Sequence, residues 1–170
     1  MGKRSTFPRR QHDFYPTPEA AVLPLLPHLK RGVWFIEPCA GEGDLVRHLE
    51  RAGHFCAHRS DIEQDAAKAQ YQPDRLGAGF FITNPPWSRD VLHPIITNLS
   101  AQAPTWLLFD ADWMHTRQAA PYLPLCRKIV SVGRVKWIPD SPHTGKENAA
   151  WYLFDARASG PAQFIGRDAA

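Results

Sequence analysis

With 170 residues, the chain is long enough for one domain with a complete core but too short for a second large module. Its 20 lysines and arginines against 17 aspartates and glutamates leave a net charge of +3, which alone gives only weak support for a polyanionic partner. No apolar run approaches the roughly 20 residues of a membrane-spanning helix, which predicts a soluble protein.

Three cysteines, Cys39, Cys56 and Cys126, lack the paired spacing of a disulfide framework. We expect them to be reduced thiols. The first residues also lack the charged and then apolar pattern of a secretory leader. The sequence therefore predicts a cytoplasmic protein.

Basic residues concentrate in two stretches, residues 3–10 and 127–136. The first holds Lys3, Arg4, Arg9 and Arg10, and the second holds Arg127, Lys128, Arg134 and Lys136. Either group can contact phosphates and release counterions, although a solvated surface has the same composition.

Helical and strand patterns alternate along the chain. Thr17 and Pro18 are typical of a helix start, as N-cap and first helical residue, and this helix is predicted to reach about residue 30. Strands are predicted over residues 33–36, 54–59, 80–83, 106–109, 128–137 and 150–154. Helices are predicted over residues 44–49, an alanine-rich stretch up to residue 71, residues 88–102 and residues 117–122.

This alternation predicts an α/β fold with a Rossmann-like, doubly wound and mainly parallel sheet covered on both sides. The last two strands are joined by a polar segment, residues 139–148. Such a pair is expected to form an antiparallel hairpin at one edge of the sheet.

Ligands of an open parallel sheet bind at the carboxyl ends of its strands, and an unusual loop follows the first strand. Glu37 stands at the strand end, and Gly41 and Gly43 allow the backbone to approach a ligand closely. The third glycine of the dinucleotide fingerprint is absent, since residues 44–46 are Asp-Leu-Val. The loop therefore suits a ligand with an ammonium group, although a tight turn has the same composition.

The second strand ends at Asp61-Ile62. A carboxylate there can accept hydrogen bonds from two ribose hydroxyls, and Ile62 can lie against a flat ring. Aspartate in this position is also common as a helix cap, so the pair is supporting evidence only.

The third strand ends at Asn84-Pro85-Pro86-Trp87, the most informative segment. The side-chain carbonyl of Asn84 and the main-chain carbonyl of Pro85 can accept both hydrogens of an aryl amine and direct its lone pair at an electrophile. Trp87 supplies a flat ring for stacking. The alternative is a structural Pro-Pro turn followed by a core tryptophan.

These segments resemble those of the amino-methyltransferases, and among them the adenine-specific enzymes of bacteriophages and restriction systems. Residues 13–18, Asp-Phe-Tyr-Pro-Thr-Pro, match the N-terminal cofactor motif of that family. Residues 37–43 stand in place of its acidic glycine loop, and residues 84–87 match its catalytic motif. The order is similar to the gamma arrangement, and the resemblance runs from about residue 12 to residue 155.

The resemblance implies a class I methyltransferase fold, the cofactor S-adenosylmethionine, and methyl transfer to the N6 amine of adenine. Tyr15 and Thr17 would line the cofactor pocket, and Glu37 would meet the amino group of the cofactor. Asp61 would hold the ribose, and Asp74 would face the cofactor adenine. The remaining residues implied for cofactor binding are Pro38, Cys39, Gly41, Gly43, Ile62 and Asn84. Asn84, Pro85, Pro86 and Trp87 would form the catalytic segment.

The implied organisation is a basic arm over residues 1–11, a methyltransferase domain over residues 12–157 and a C-terminal tail over residues 158–170. Nucleic acid is the expected partner, with DNA favoured over RNA and no membrane partner. Fewer than a hundred residues follow Trp87, so we expect little sequence selectivity. The alternatives that stay open are methylation of RNA or of a protein glutamine, and an inactive fold that only binds nucleic acid.

Two further groups of residues are weaker candidates. His54, Cys56 and His58 alternate along a strand but lack a clear fourth ligand, so ordinary strand residues are favoured over a zinc site, and no metal is expected. Residues 113–117 could form a wall of the substrate cleft or a surface loop. Trp137 and Trp151 are interpreted as core residues rather than stacking platforms.

Overall fold

The computed structural model describes residues 16–138 and 145–167, which form one seven-stranded sheet with helices on both faces. The strands are β1 (Trp34–Glu37), β2 (Phe55–Arg59), β3 (Phe80–Thr83), β4 (Thr105–Asp110), β5 (Cys126–Arg134), β6 (Asn148–Phe154) and β7 (Gln163–Ile165). Their order in the sheet is β2-β1-β3-β4-β6-β5-β7.

The helices are α1 (Glu19–Val22), α2 (Asp44–Arg51), α3 (Pro73–Leu76) and α4 (Arg89–Gln102). Short 3₁₀ segments cover Leu23–His28, Ala111–His115, Arg117–Ala119 and Leu123–Leu125. The long α4 begins directly after the Asn84–Trp87 segment and returns the chain to the start of β4.

The sheet is mixed, because one strand, β6, runs antiparallel to the others. Strands β2, β1, β3 and β4 are parallel, β6 is antiparallel to both β4 and β5, and β7 runs parallel to β5. The α/β sheet with an antiparallel pair confirms the predicted fold class. Strand β7 extends the sheet one strand beyond that pair and lies in residues 158–170, for which the sequence pattern predicts only a tail.

Successive strand residues face opposite sides of the sheet, and each side has its own core. Phe35 packs with Leu45 and Leu49 of α2 on one face, while the next residue, Ile36, packs with Ile96 of α4 on the other. Because both faces are covered, the strands are apolar throughout rather than alternating. This arrangement accounts for the continuous apolar runs of the sequence.

The N-terminal helix is shorter than predicted. The α-helix ends at Val22, and a 3₁₀ segment continues to His28. Pro24 and Pro27 lack the N–H groups that an α-helix needs in this region, which explains the change.

The predicted alanine-rich helix before residue 71 is replaced by turns. Between β2 and β3, the one helical segment is the single turn α3, which follows residue 71. The side-chain amide of Asn98 donates to the carbonyls of Ala66 and Ala69, at 2.9 and 3.0 Å. Gln102 Nε2 donates to the same Ala69 carbonyl at 3.0 Å. Side chains of α4 therefore take the carbonyl groups that a helix would have used, and this tertiary contact overrides the local propensity.

The topology brings the carboxyl ends of six strands, β1 to β5 and β7, to one edge of the sheet. Strands β1 to β4 are parallel, and β5 runs the same way as β4 because both are antiparallel to β6. The loops that follow these strands therefore meet at this edge, which we call the carboxyl edge. The motifs of the first three loops lie there together.

Candidate functional site

Main-chain hydrogen bonds join the loops after β1 and β2. The Ala40 N–H donates to the Ser60 carbonyl at 2.9 Å, and the Ser60 N–H donates to the Glu37 carbonyl at 3.0 Å. Asp61, the next residue, is half-buried, and its charge contributes to the raised pKa of Glu37. The two strand-end carboxylates predicted from the sequence thus lie close enough to interact electrostatically.

Glu37 is fully buried, with no exposed surface. Its Oε1 accepts a hydrogen bond from the Cys39 N–H at 3.4 Å, whereas Oε2 has no hydrogen-bond partner among the described residues. Burial raises the pKa of this carboxyl to about 8, and the negative charge of Asp61 adds to the rise, while the Thr83 hydroxyl and the Cys39 N–H oppose it. Burying a carboxyl with one unsatisfied oxygen costs folding free energy, so a cationic donor placed beside it would bind tightly.

The loop after β1 requires its glycines. Gly41 and Gly43 have positive φ angles of 50° and 82°. The Gly43 N–H donates to the Ala40 carbonyl at 2.7 Å, and Gly43 is the N-cap of α2. A Cβ on Gly43 would lie 3.1 Å from Nη1 of Arg59, so a side chain there would strain the backbone and displace the end of Arg59.

In this loop, Pro38 is buried and Cys39 is half-buried against the core. Burial raises the pKa of the Cys39 thiol well above its ordinary value, and the charge of Glu37 raises it further. The thiol therefore stays protonated, and Cys39 contributes packing and a backbone N–H rather than a nucleophile.

The loop after β2 presents an exposed apolar side chain beside a carboxylate. Ile62 is 75% exposed, although isoleucine is usually buried, and it directly follows Asp61. The Asp61 N–H donates to Glu63 Oε1 at 2.9 Å, which holds the turn. The exposed face of Ile62 is available for a flat ligand ring.

Both ends of the Asn84 carboxamide are hydrogen-bonded. Its Nδ2 donates to Thr17 Oγ1 at 3.1 Å, and its Oδ1 accepts from the indole Nε1–H of Trp87 at 3.2 Å. The same indole N–H also donates to the Leu108 carbonyl of β4 at 3.2 Å. Since an indole nitrogen can only donate, the amide atom that faces it must be the oxygen. The structure therefore links Thr17 and Trp87 through the Asn84 amide.

Trp87 is partly buried and meets a second tryptophan that the sequence analysis assigned to the core. The ring of Trp137 lies edge-on to that of Trp87, with centroids 5.5 Å apart and planes at 86°. Gly145 lies against Trp137, since a Cβ on Gly145 would lie 3.2 Å from Trp137 Cδ1. The position of Trp137 in the chain could have indicated this contact, because Trp137 follows β5, whose carboxyl end lies at the carboxyl edge.

A second residue that sequence reasoning left out is Thr83, the last residue of β3. It is fully buried, and its hydroxyl lies close enough to the Glu37 carboxyl to lower the pKa of that group, although the two do not meet the geometry of an ordinary hydrogen bond. A polar residue at the end of an apolar strand, directly before Asn84, was the signal that could have identified it.

One of the predicted cofactor residues, Asp74, is not brought into this group. Asp74 belongs to α3, which precedes Gly79, and the Gly79 N–H donates to the carbonyl of Trp34 at the amino end of β1 at 2.9 Å. Asp74 is exposed and lies toward the edge of the sheet opposite the carboxyl edge. Tyr15 lies outside the described residues, as do residues 13 and 14 of the N-terminal motif.

The late basic stretch divides between the two edges of the sheet. Arg127 and Lys128 stand at the start of β5, whereas Arg134 ends it and Lys136 follows, both exposed at the carboxyl edge. The Arg127 guanidinium donates to the carbonyls of residues 126, 158 and 160, which ties down the C-terminal segment. Arg134 and Lys136 are therefore the cations of this stretch that lie near the candidate site. The early basic stretch, residues 3–10, lies outside the described residues.

The weaker candidates have local partners. Cys56 Sγ–H donates to the His58 carbonyl at 3.3 Å, and His58 Nε2 shares a hydrogen with Gln64 Oε1 at 3.2 Å. Within residues 16–138 and 145–167, no three His, Cys, Asp or Glu side chains group as metal ligands do. Trp113 is buried and donates to His93 Nε2 at 3.0 Å, so it is a core residue rather than a wall of the cleft.

No helix in the described part of the chain combines the length and apolar character needed to cross a membrane.

The sequence matches no protein-family model and no curated protein. Among solved structures, it resembles a proposed RNA methyltransferase from Pyrococcus horikoshii, at 15% identity and a TM-score of 0.58, over 90% of this chain and 92% of that one. It also resembles a proposed class I S-adenosylmethionine-dependent methyltransferase from Listeria monocytogenes, at 10% identity and a TM-score of 0.53, over 94% of this chain and 68% of that one.

A third similar structure is the modification subunit of a proposed type I restriction enzyme from Vibrio vulnificus. The identity is 15% and the TM-score 0.50, and the match covers 92% of this chain but 48% of the subunit, so this chain spans about half of its length. Identities this low establish a shared architecture only. The chain therefore has the fold of the class I methyltransferases.

Proposed function

We propose that this protein is an S-adenosylmethionine-dependent methyltransferase that acts on the exocyclic N6 amine of adenine in nucleic acid, with DNA favoured over RNA. The observation that carries the proposal is the position of the Asn84–Trp87 segment. It leaves β3 at the carboxyl edge, beside the buried carboxyl of Glu37 at the end of the neighbouring strand β1. The segment proposed to bind the amine and the carboxyl proposed to bind a cation thus follow or end adjacent strands.

The residues present fit the cofactor. The unsatisfied Oε2 of Glu37 would accept a hydrogen bond from the amino group of the methionine part. Gly41 and Gly43 would let the loop backbone lie close to this group, and Asp61 would accept hydrogen bonds from the ribose hydroxyls. Ile62 would cover the adenine ring with its exposed face. Thr17, with Tyr15 from the resemblance, would complete the pocket.

The cofactor, when bound, supplies a methyl group on a positively charged sulfur. The part of this chain is to hold the target amine in line with it. Asn84 Oδ1 accepts one hydrogen bond from Trp87, and because a carbonyl oxygen accepts two, it keeps capacity for one amine hydrogen. The Pro85 carbonyl would accept the second hydrogen. Positioning of this kind supplies a large share of the rate in two-substrate reactions.

The aromatic residues favour a base over a smaller amine. Trp87 offers a flat face at the end of the catalytic segment, and Trp137 adds a second ring 5.5 Å away. Bases that have left the duplex stack against such side chains. A glutamine side chain has no ring to stack, so protein methylation is the less favoured alternative.

Adenine in either DNA or RNA could be bound by these residues. The modification subunit among the similar structures belongs to a proposed restriction enzyme, which favours DNA, whereas the similar Pyrococcus protein is a proposed RNA methyltransferase. RNA adenine is therefore the second candidate substrate. Arg134 and Lys136 would contact phosphates of either polymer without reading bases, in keeping with low sequence selectivity.

The proposal is tested by incubating the protein with cofactor labelled in the methyl group and with duplex DNA, single-stranded DNA, RNA or a protein mixture. Digestion of each polymer then identifies the methylated species. We expect N6-methyladenine in DNA. Label in RNA adenine alone would support the second candidate, and label in cytosine or glutamine would overturn the base assignment. Cofactor binding without transfer to any polymer would support the inactive fold.

A further inference from the structure

A chain of hydrogen bonds crosses the catalytic segment, from Thr17 through Asn84 and Trp87 to Leu108. Thr17 Oγ1 accepts from Asn84 Nδ2 at 3.1 Å, and Asn84 Oδ1 accepts from Trp87 Nε1–H at 3.2 Å. The same indole N–H reaches the Leu108 carbonyl at 3.2 Å. We call these four residues the amide relay.

Both ends of the relay are anchored in the core. Thr17 is 6% exposed, and its segment is held by the buried Trp151, whose Nε1–H donates to the Ala21 carbonyl at 2.7 Å. Leu108 lies in the middle of β4, adjacent to β3 in the sheet. The orientation of the Asn84 amide is therefore fixed by hydrogen bonds to residues anchored in the core, and not by its own loop alone.

The relay distinguishes the two orientations of the Asn84 amide. Rotation by 180° would place the NH₂ group against the indole N–H, where two donors would face each other. The present orientation instead pairs the indole N–H and one Nδ2–H with acceptors. Only in this orientation does Oδ1 lie on the Trp87 side, with one lone pair left for a substrate amine.

We propose that the Thr17 hydroxyl and the Trp87 indole N–H are positioning groups that lock the Asn84 amide in its amine-accepting orientation. This inference rests on the proposed function and deepens it. Thr17 then acts on the target amine through Asn84, in addition to the cofactor-lining role that the family resemblance implies. Trp87 contributes its N–H as well as its flat face.

The two roles of Trp87 can be separated by substitution. Trp87→Phe keeps an aromatic face but removes the N–H, so it tests the relay and largely spares stacking. Trp34→Phe is the matched control, because Trp34 is 49% exposed at the amino end of β1, away from the site. Thr17→Val removes only the hydroxyl at nearly constant volume, and Thr17→Ser restores it.

Steady-state kinetics on an adenine-containing polymer and binding of sinefungin, a non-reactive cofactor analogue, provide the first test. We expect kcat to fall about 5- to 30-fold in Thr17→Val and in Trp87→Phe, the effect of losing one or two net hydrogen bonds. The Kd of sinefungin should stay within about two-fold of wild type in Trp87→Phe, and in Thr17→Val it should change less than kcat does. Thr17→Ser should recover most of kcat, and Trp34→Phe should match wild type. A Thr17→Val variant that loses sinefungin affinity at unchanged kcat would overturn the inference in favour of a cofactor-lining role alone.

Nuclear magnetic resonance tests the relay without relying on activity. The chain has six tryptophans, and the indole ¹⁵N–¹H signal of Trp87 is the one that disappears in Trp87→Phe. We expect Thr17→Val to shift this signal through Asn84, and Thr17→Ser to leave it close to its original position. An unmoved signal in Thr17→Val would refute the relay even if the enzyme methylates adenine. A shifted signal in a protein that methylates no polymer would uphold the relay and refute the proposed function.

Discussion

Glu37 and Thr83 end neighbouring parallel strands, and both are fully buried with an unsatisfied oxygen, Oε2 of the carboxyl and Oγ1 of the hydroxyl. The described residues place no cation against either oxygen. In the free protein, burial keeps the pKa of Glu37 near 8. Burial of this carboxyl therefore lowers the stability of the free protein, and a cationic ligand beside it would offset that loss.

The first prediction is that the free protein loses stability as the pH rises. The pKa of Glu37 is about 8 when folded against 4.5 as its ordinary value, so between these values the folded state retains a proton that the unfolded state has released. Stability then falls with rising pH through this window. Glu37→Gln cannot ionise, so at pH 9 its free energy of unfolding should exceed that of wild type by up to about 5 kcal/mol. Urea unfolding at pH 6 and pH 9 measures this. An equal change in both proteins would contradict the burial of a titrating carboxyl.

The second prediction concerns the proton balance of cofactor binding. An ammonium group beside Glu37 favours the ionised carboxylate, so binding near pH 7 should release a proton. Sinefungin affinity should rise up to about ten-fold per pH unit between pH 6 and pH 8. Calorimetry in two buffers of different ionisation enthalpy gives the released proton directly. Glu37→Gln should bind more weakly with little pH dependence, and a wild-type affinity that is flat with pH would count against this contact.

Local and long-range features of the site differ in how far the sequence predicts them. The strand, glycine loop and helix around Glu37 and Gly43 depend on neighbouring residues, so the pattern indicates them correctly. Asp74 is separated from the cleft by the way α3 packs at the amino end of the strands, which no local signal encodes. The contact between Thr17 and Asn84 joins residues 67 positions apart, and that between Trp87 and Trp137 arises only when the sheet closes.

The third prediction separates backbone strain from crowding in the glycine loop. Gly43 and Gly53 both have positive φ, 82° and 87°, but only Gly43 has a neighbour within contact distance of an added Cβ, Arg59 Nη1 at 3.1 Å. Alanine at either position should cost about 1–2 kcal/mol of stability from the left-handed backbone. Only Gly43→Ala should also weaken sinefungin binding, because its loop would have to move. Thermal unfolding and calorimetry on both variants provide the comparison. An equal loss of sinefungin affinity in both would show that the loop does not contact the cofactor.

The fourth prediction is a separation of catalysis from cofactor binding at Asn84. The Asn84 amide points at Thr17 and Trp87 rather than toward the glycine loop. Asn84→Ala should therefore abolish turnover while sinefungin affinity stays within about three-fold of wild type. Single-turnover transfer of labelled methyl, followed with saturating cofactor, measures the chemical step. Turnover at the wild-type rate would refute the amine-acceptor role.

The fifth prediction locates the nucleic-acid interface by the salt dependence of binding. Arg134 and Lys136 are exposed at the carboxyl edge, while Arg75 is exposed in α3, toward the opposite edge. If phosphates lie across the carboxyl edge, each of Arg134→Ala and Lys136→Ala should lower the slope of log Kd against log salt by about 1, since each contact releases counterions. Arg75→Ala removes the same charge from the protein and should leave the slope unchanged. Fluorescence anisotropy with a labelled duplex across a salt series makes the measurement. Because all three variants lose one positive charge, an identical reduction in each would show that net charge, rather than this edge, attracts the polymer.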